Sequence, residues 1–272
     1  MRQYDFHLFR YVDFYMNEAT KREGSQSISR AIRAMKHIAR HTPNGMRLVD
    51  IAEEMNLERP TAHRVLKALV QEGMLVQLPG SKRYTLGPVM FELGLAATHQ
   101  FNLRDICAPI LERLAYETGD TSFLFVRSGN DAICLSRIQG HYPIQTPVVP
   151  IGSRQPLGVS AGGLALLSCL DKSEAEQILR EVEPRLSVYE NLDIKDVIDH
   201  YHRTHELGYA WISNHAVPGV SALGLPIRNA AGTAVAAITV ATTLTRMTKS
   251  RVKEILPVLR QAADDVANLL RP

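Results

Sequence analysis

Between residues 27 and 86 the apolar positions change their period several times, and each change marks a new element. From Ser27, a good helix N-cap, Ile28, Ala31, Ile32, Met35, Ile38 and Ala39 recur at helical spacing to about His41. Thr42-Pro43-Asn44-Gly45 breaks that pattern. A short helix is expected over Leu48–Met55, then Asn56-Leu57, then a third helix from about Pro60 to Glu72, which Gly73 ends because glycine tolerates left-handed geometry. Met74–Leu78 and Arg83–Leu86 read as short strands, with Pro79-Gly80-Ser81 as the hairpin between them. Helix, short helix, tight turn, helix and hairpin form the order of a winged helix-turn-helix.

Beyond Gly87-Pro88 the pattern changes again. Val89–Gln100 reads as a linker helix and Leu103–Thr118 as the first helix of a second domain, closed by Gly119-Asp120. Ser122–Arg127 and Ala132–Ile138 look like a strand pair across Ser128-Gly129-Asn130-Asp131. A stretch rich in Pro and Gly follows from Gly140 to Gly158. Helices are expected at about Ser160–Leu170, Ser173–Val182 and Asp193–Leu207; Ser173 with Glu176 three residues on is a capping-box pattern. Three strands then fall at Tyr209–Ser213, Val220–Ile227 and Ala234–Ala241, with Gly232 at the last turn, and a helix runs from about Lys249 to Leu270. The expected architecture is α+β, in four parts. These are an N-terminal arm without clear period (1–24), a winged helix-turn-helix (25–87), a linker helix (88–102) and a larger domain (103–272).

Charge changes this picture more than composition does. The chain of 272 residues is 45% hydrophobic and 22% charged, ordinary values for a globular protein with room for two cores. Residues 27–86 hold ten Lys/Arg against five Asp/Glu, a balance of +5, whereas residues 101–272 hold 17 against 18, a balance of −1. A small basic module joined to a near-neutral larger one fits a nucleic-acid reader with a second domain. No run approaches the roughly 18 consecutive apolar residues of a membrane span, and the N-terminus lacks a signal-peptide pattern. Cys107, Cys134 and Cys169 are odd in number and widely spaced, which argues for a reducing cytoplasm rather than a disulfide framework or zinc site. No metal or cofactor is expected.

The third helix has two faces. Ala62, Val65, Leu66, Leu69 and Val70 form an apolar stripe, and Thr61, His63, Arg64 and Lys67 lie largely off it. A recognition helix needs one face to anchor it and another to enter the major groove. Arg64 suits a bidentate guanine contact, because a planar guanidinium matches guanine O6 and N7. Thr61 and His63 can reach bases or phosphates; Arg30 and Arg47 suit the backbone; Arg59 and Lys67 are further candidates for DNA contact; Ser81, Lys82 and Arg83 sit at the wing tip. Ala52 is small where the two short helices cross, and Asn56 suits a turn that asks for left-handed geometry.

These segments carry a resemblance. Ser27-Ile28-Ser29-Arg30-Ala31, Leu48-x-x-Ile51-Ala52, Thr61-Ala62-His63-Arg64-Val65-Leu66-Lys67-x-Leu69, Glu72-Gly73 and Arg83-Tyr84-x-Leu86-Gly87 resemble the IclR family of transcriptional regulators. Gly152-Ser153-Arg154-x-Pro156-Leu157, Ser160-Ala161-Gly162-Gly163, Gly208-Tyr209-Ala210 and Gly219-Val220 extend the likeness to about residue 270. The family implies a GAF-like effector domain with a six-stranded antiparallel sheet, and homodimers or homotetramers. It implies double-stranded operator DNA and a small-molecule effector as partners. By resemblance, the effector would be lined by Ile144, Pro147, Gln155, Ala161, Gly162, Ile212, Val220, Ala222, Thr239 and Ala241. Members that bind small acids often carry an acidic residue near Ile212 and polar or thiol groups near Ala222 and Ala241. The apolar residues found here point away from a small keto-acid and toward a less polar effector, such as an aromatic acid from a catabolic pathway. Its carboxylate would face the Ala161 and Gly162 amides.

One competing pattern points to an enzyme. Gly158-Val159-Ser160-Ala161-Gly162 matches the G-x-S-x-G elbow of serine hydrolases, with candidate triad partners in Asp193–His205 and at His215. The parallel βαβ setting of that elbow is not evident. His200, His202 and His205 share no helical face, which disfavours a metal and favours exposed polar histidines.

Overall fold

The computed structural model describes residues 26–41, 44–97, 103–229 and 231–270. They divide into two compact units, 26–97 and 103–270. The expected arm, 1–24, lies outside the described residues.

In the N-terminal unit α1 (Gln26–Arg40), α2 (Leu48–Glu54) and α3 (Arg59–Gln71) precede a hairpin of β1 (Leu75–Gln77) and β2 (Tyr84–Leu86). The core gathers Ala34, Ile38, Met46, Ile51, Met55, Leu66, Leu69, Leu75 and Tyr84. The turn between α2 and α3 rests on Asn56, whose φ of +51° is the left-handed conformation the sequence pattern asks for. Ala52 is buried beside it, and its carbonyl accepts from Leu57 N at 2.8 Å. Ser27 lies inside α1 rather than capping it, since the helix already begins at Gln26. A bridge between Met46 and Tyr84 ties the α1–α2 connection to the hairpin. α4 (Pro88–Ala97) starts on this unit, with Val89 N donating to Gly73 O. The expected end of that helix at Gln100 lies outside the described residues.

In the C-terminal unit α5 (Leu103–Thr118) leads into β3 (Thr121–Ser128) and β4 (Asp131–Ile138). β5 (Arg154–Pro156), α6 (Ala161–Leu167) and α7 (Lys172–Val182) come next. After a 3-10 turn over Glu183–Val188, α8 (Ile194–Leu207), β6 (Ala210–Ser213), β7 (Val220–Arg228), β8 (Ala234–Thr243) and α9 (Lys249–Leu269) complete the chain. The six strands form one antiparallel sheet in the order β5-β4-β3-β8-β7-β6.

Strand alternation divides the side chains between two cores. Leu124, Val126, Leu223, Leu225, Ile238 and Val240 face α5 and α9. Phe123, Phe125, Ala210, Ile212, Ala237 and Ala241 face α6, α7 and α8. Two buried carboxylates lock the edges: Asp120 holds Arg246 and Arg251, and Asp131 holds Arg154 of β5 and Arg185 of the 3-10 turn.

Two features departed from the expected pattern. β5 lies within the stretch that composition marks as irregular. The capping box expected at Ser173 is absent there, because α7 begins one residue earlier behind Asp171, whose side chain makes no cap bond. A capping box forms instead at Asp193 and Asp196, opening α8.

Candidate DNA-reading surface and effector cavity

The DNA-reading surface follows from which side of α3 is buried. Ala62, Leu66 and Leu69 anchor the helix, and Val65 and Val70 are half-buried at the edge of that stripe. His63, Arg64 and Lys67 stand on the opposite side, exposed, with Arg59 exposed at the helix start and Thr61 half-buried beside it. Positions 63, 64 and 67 are three and four apart, so they share one face. None of these four basic side chains makes a hydrogen bond or ion pair with the described residues.

Other basic residues are engaged within the fold. Arg47 grips Asp50 with Nε and Nη2, both at 3.1 Å, and Asp50 also accepts from Arg47 N at 3.2 Å, closing the N-terminus of α2. The hydrogen-bonded guanidinium holds the Asp50 carboxyl below its ordinary range. Arg83, expected at the wing tip, turns inward, and its Nη1 donates to Gly45 O at 2.9 Å. The tip belongs to Ser81 and Lys82, both exposed, with Lys82 at φ +56°. Arg30 is half-buried on α1.

In the C-terminal unit the sheet face toward α6 is thin in side-chain volume. Ile212, Ala222 and Ala241 form one cross-strand row, and Gly224, Thr239 and Phe123 form the next. Glycines bring α6 down onto that face. A Cβ on Gly224 would stand 2.6 Å from Ala161 O, and one on Gly162 would stand 2.3 Å from the Phe125 ring. Small residues beside a close helix leave a cavity that opens to solvent. Gln155, Ala161, Gly162, Ile212, Val220, Ala222, Thr239 and Ala241, eight of the ten residues expected by resemblance, line it.

Ile144 and Pro147 do not. Ile144 is 58% exposed, and the Pro147 carbonyl is drawn to Arg137 Nη1 at 2.9 Å. Sequence reasoning missed Phe123 and Phe125 as lining residues, although strand alternation from Ser122 would have placed them on a common face. It also missed the His215–Val217 loop, for which pattern carries no signal.

The histidines separate. His200 is 7% exposed, not an exposed polar residue, and burial with His215 nearby lowers its pKa. His202 and His205 are exposed as expected. Cys107 and Cys134 are buried, and burial pushes both thiols up to about 12; Cys169 is half-buried against Arg228. Among the described residues no group of His, Cys, Asp and Glu is placed to hold a metal, and no helix is long and apolar enough to cross a membrane.

Ser160, the residue of the hydrolase pattern, caps α6: its Oγ accepts from Gly163 N at 3.2 Å. Its φ and ψ of −101° and 159° are ordinary extended values, without the strain of a nucleophile elbow. The sheet that α6 packs against is antiparallel, not the parallel βαβ sheet of that elbow.

Comparison with known proteins agrees with both units. Residues 27–79 match the IclR helix-turn-helix domain model, and residues 95–268 match the bacterial transcriptional regulator IclR C-terminal model. The HTH-type transcriptional regulator BhcR of Paracoccus denitrificans is 27% identical over 252 residues, covering 92% of this chain and 88% of BhcR. An IclR family regulator from Brucella abortus shares the fold with a TM-score of 0.76 at 21% identity, over 93% of this chain and 95% of its own. An IclR homologue from Microbacterium hydrocarbonoxydans, solved in complex with 4-hydroxybenzoate, superposes with a TM-score of 0.65 at 22% identity, over 90% and 98%. With both of its units matched, the chain belongs to the IclR family: it is a DNA-binding transcriptional regulator modulated by a small-molecule effector.

Proposed function

We propose that the exposed side of α3 enters the major groove, with Arg64 reading a guanine edge and Thr61 and His63 reaching bases or phosphates. The observation that carries this reading is that side itself. Arg59, His63, Arg64 and Lys67 stand in water with no partner among the described residues, on a helix whose other side is buried. Phosphates and base edges supply the missing acceptors. Lys67, Lys82 and Ser81 contact the phosphate backbone, and so does Arg30. Arg47 and Arg83 join them only by leaving Asp50 and Gly45, so they contribute less. The DNA-binding domain spans 25–87, a linker helix 88–102 and the effector domain 103–272.

The effector occupies the cavity under α6. Its apolar walls favour a ring-bearing organic acid over a small keto-acid, in keeping with the 4-hydroxybenzoate held by the Microbacterium homologue. Effector binding shifts operator affinity by its differential affinity for two arrangements of a homodimer or homotetramer, typically about 1–3 kcal/mol. Phe91 and Leu95 of α4, about one turn apart and each more than half exposed, supply an apolar strip for pairing two copies. The protein works in the cytoplasm and is not an enzyme.

The test is retention of the protein's own upstream DNA at physiological salt with excess competitor, where non-specific binding collapses. Retention that Arg64→Ala loses supports the reading. Equal indifference of wild type and variant to every fragment overturns it. One observation favours a hydrolase instead: His215 lines the same cavity as Ser160. Against it, His215 Nδ1 is committed to Asn191 O, and Asp196 Oδ2 stands 4.0 Å away. Ester cleavage abolished by Ser160→Ala would revive that alternative.

A further inference from the structure

No Asp, Glu, Lys or Arg lines the cavity under α6. The Ser160 and Thr239 hydroxyls and the Gln155 amide can donate hydrogen bonds to a ligand there, but none of them carries charge. An organic anion taken out of water between such walls keeps a net charge that neutral donors offset only in part. Of the lining residues, only His215 can become a cation.

His215 stands on the loop between β6 and β7. Asn214, at φ +57°, pins the base of that loop: its N donates to Val220 O and its Oδ1 accepts from Gly219 N, both at 2.8 Å. The His215 Nδ1 lies 3.1 Å from Asn191 O. A carbonyl can only accept, so Nδ1 carries a proton in either charge state, and Nε2 is the nitrogen that gains or loses one. Nε2 has no hydrogen-bond partner among the described residues. The side chain is 31% exposed, enough for solvent to deliver the proton.

The surroundings suit one positive charge at this place and no second. From α8, Asp196 Oδ2 stands 4.0 Å from Nδ1 and is a ready partner for an imidazolium. Also from α8, His200 packs edge-on against the ring, with centroids 4.6 Å apart at 87°. His200 is 7% exposed; burial lowers its pKa, and the charge of His215 is the next influence in the same direction. Arg203 and Asp199 act on His200 from the same helix with opposite signs. The segment before α8 presents the Asn191 carbonyl, and the sheet and α6 add no charged side chain to the lining.

We infer that His215 is a proton-linked counter-ion: an anionic effector enters the cavity together with one proton, taken from solvent onto His215 Nε2, and leaves with it. The inference rests on the reading of the cavity as the site of an organic acid. The ring passes from neutral to singly positive, the ligand stays an anion, and no covalent bond forms. Because the bound state holds the extra proton, affinity rises as pH falls. The response of operator binding to the effector shifts with pH through the same linkage.

The experiment is calorimetric titration of the full-length protein with benzoate, phenylacetate and benzamide, in buffers of different ionisation enthalpy. About half a proton or more is expected to be taken up per bound acid near pH 7.5, with affinity about fivefold or more higher at about pH 6 than at about pH 8. Benzamide, similar in shape but uncharged, is expected to take up none. In His215→Gln, which keeps a hydrogen-bonding amide and loses the titrating ring, uptake vanishes and affinity for the acids changes by less than about twofold over that range. His215→Lys, charged throughout, binds the acids more tightly than wild type at about pH 8, again without uptake, and serves if His215→Gln fails to fold. A merely structural role for His215 would weaken acids and benzamide alike and leave the uptake in place. Binding of the acids without uptake by wild type overturns the inference while leaving the organic-acid reading intact. So does uptake that survives both His215 variants, since the proton then sits on His200 or on the ligand. Failure of both acids to bind overturns the organic-acid reading and the inference with it.

Discussion

The two units place their functional chemistry in opposite ways. In α3 the residues that hold the fold and the residues proposed to read DNA are different residues. Ala62 and Leu66 are 1% and 0% exposed, while His63, Arg64 and Lys67 lie in water. In the C-terminal unit they are the same residues. Phe123, Ala161, Thr239 and Ala241, all 4% exposed or less, are sheet core and cavity wall at once. The difference follows from the partners. A duplex is met from outside by charges that are already hydrated, whereas a small ligand must be taken out of water. Substitutions on the first surface should therefore change function alone, and those around the cavity should change stability and binding together.

The largest test of that contrast is Gly224→Ala. Its added Cβ would meet the Ala161 carbonyl at 2.6 Å, a backbone group that cannot swing aside. The expected cost is about 2 kcal/mol of stability, read by chemical denaturation, together with loss of effector binding, because α6 is lifted off the sheet. If stability fell and ligand affinity held, cavity and core would be separable after all.

Arg64→Ala is the counterpart on the other unit. DNA affinity is expected to fall by about 1–3 kcal/mol, with specificity relaxed at one base position. The melting temperature is expected to stay within error of wild type, since Arg64 is exposed and has no ion-pair partner among the described residues. Lys67→Ala would instead weaken binding evenly across sequences and lower the salt slope by about one. A drop in melting temperature for either variant would show that α3 mixes the two roles.

Asn56 probes the scaffold beneath that surface. At φ +51° an alanine costs roughly 1 kcal/mol, while glycine is close to neutral. Denaturation of Asn56→Ala and Asn56→Gly should separate by that amount. Equal stabilities would mean the turn opens without consequence.

How much was legible in the sequence follows the same division. The N-terminal unit is built from local signals, so Asn56, Ala52 and the buried stripe of α3 could be placed from period and turn chemistry. Arg83 could not, because its partner Gly45 is 38 residues away and the inward turn depends on tertiary packing. In the C-terminal unit alternation marked the strands, but β5 has three residues and no period to read. The cavity depends on glycines whose meaning appears only when α6 meets the sheet. His215 was invisible as a lining residue for the same reason: its loop is positioned by Asn214 and Gly219, not by any periodic pattern.

The smallest predicted effect concerns His200, which backs the cavity loop from α8. It faces His215 and Arg203, which disfavour its charge, and Asp196 and Asp199, which favour it; burial is the largest influence and lowers its pKa from the ordinary 6.5. In the unfolded chain the same ring titrates normally. As pH falls through about 6.5, the unfolded state takes up a proton that the folded state refuses, and stability declines until the folded value is passed. The stabilising contribution is thus complete above the unfolded value and lost below it. Melting curves of wild type and His200→Phe between about pH 8 and about pH 5 should diverge, with the variant losing less stability on acidification. Groups that do not touch His200 cancel between the two proteins, so the difference between the curves reports His200 together with its coupling to His215, Arg203, Asp196 and Asp199. Parallel curves would mean that His200 reaches water in the folded protein, and the cavity loop would then lack the dry support that holds the His215 ring in place.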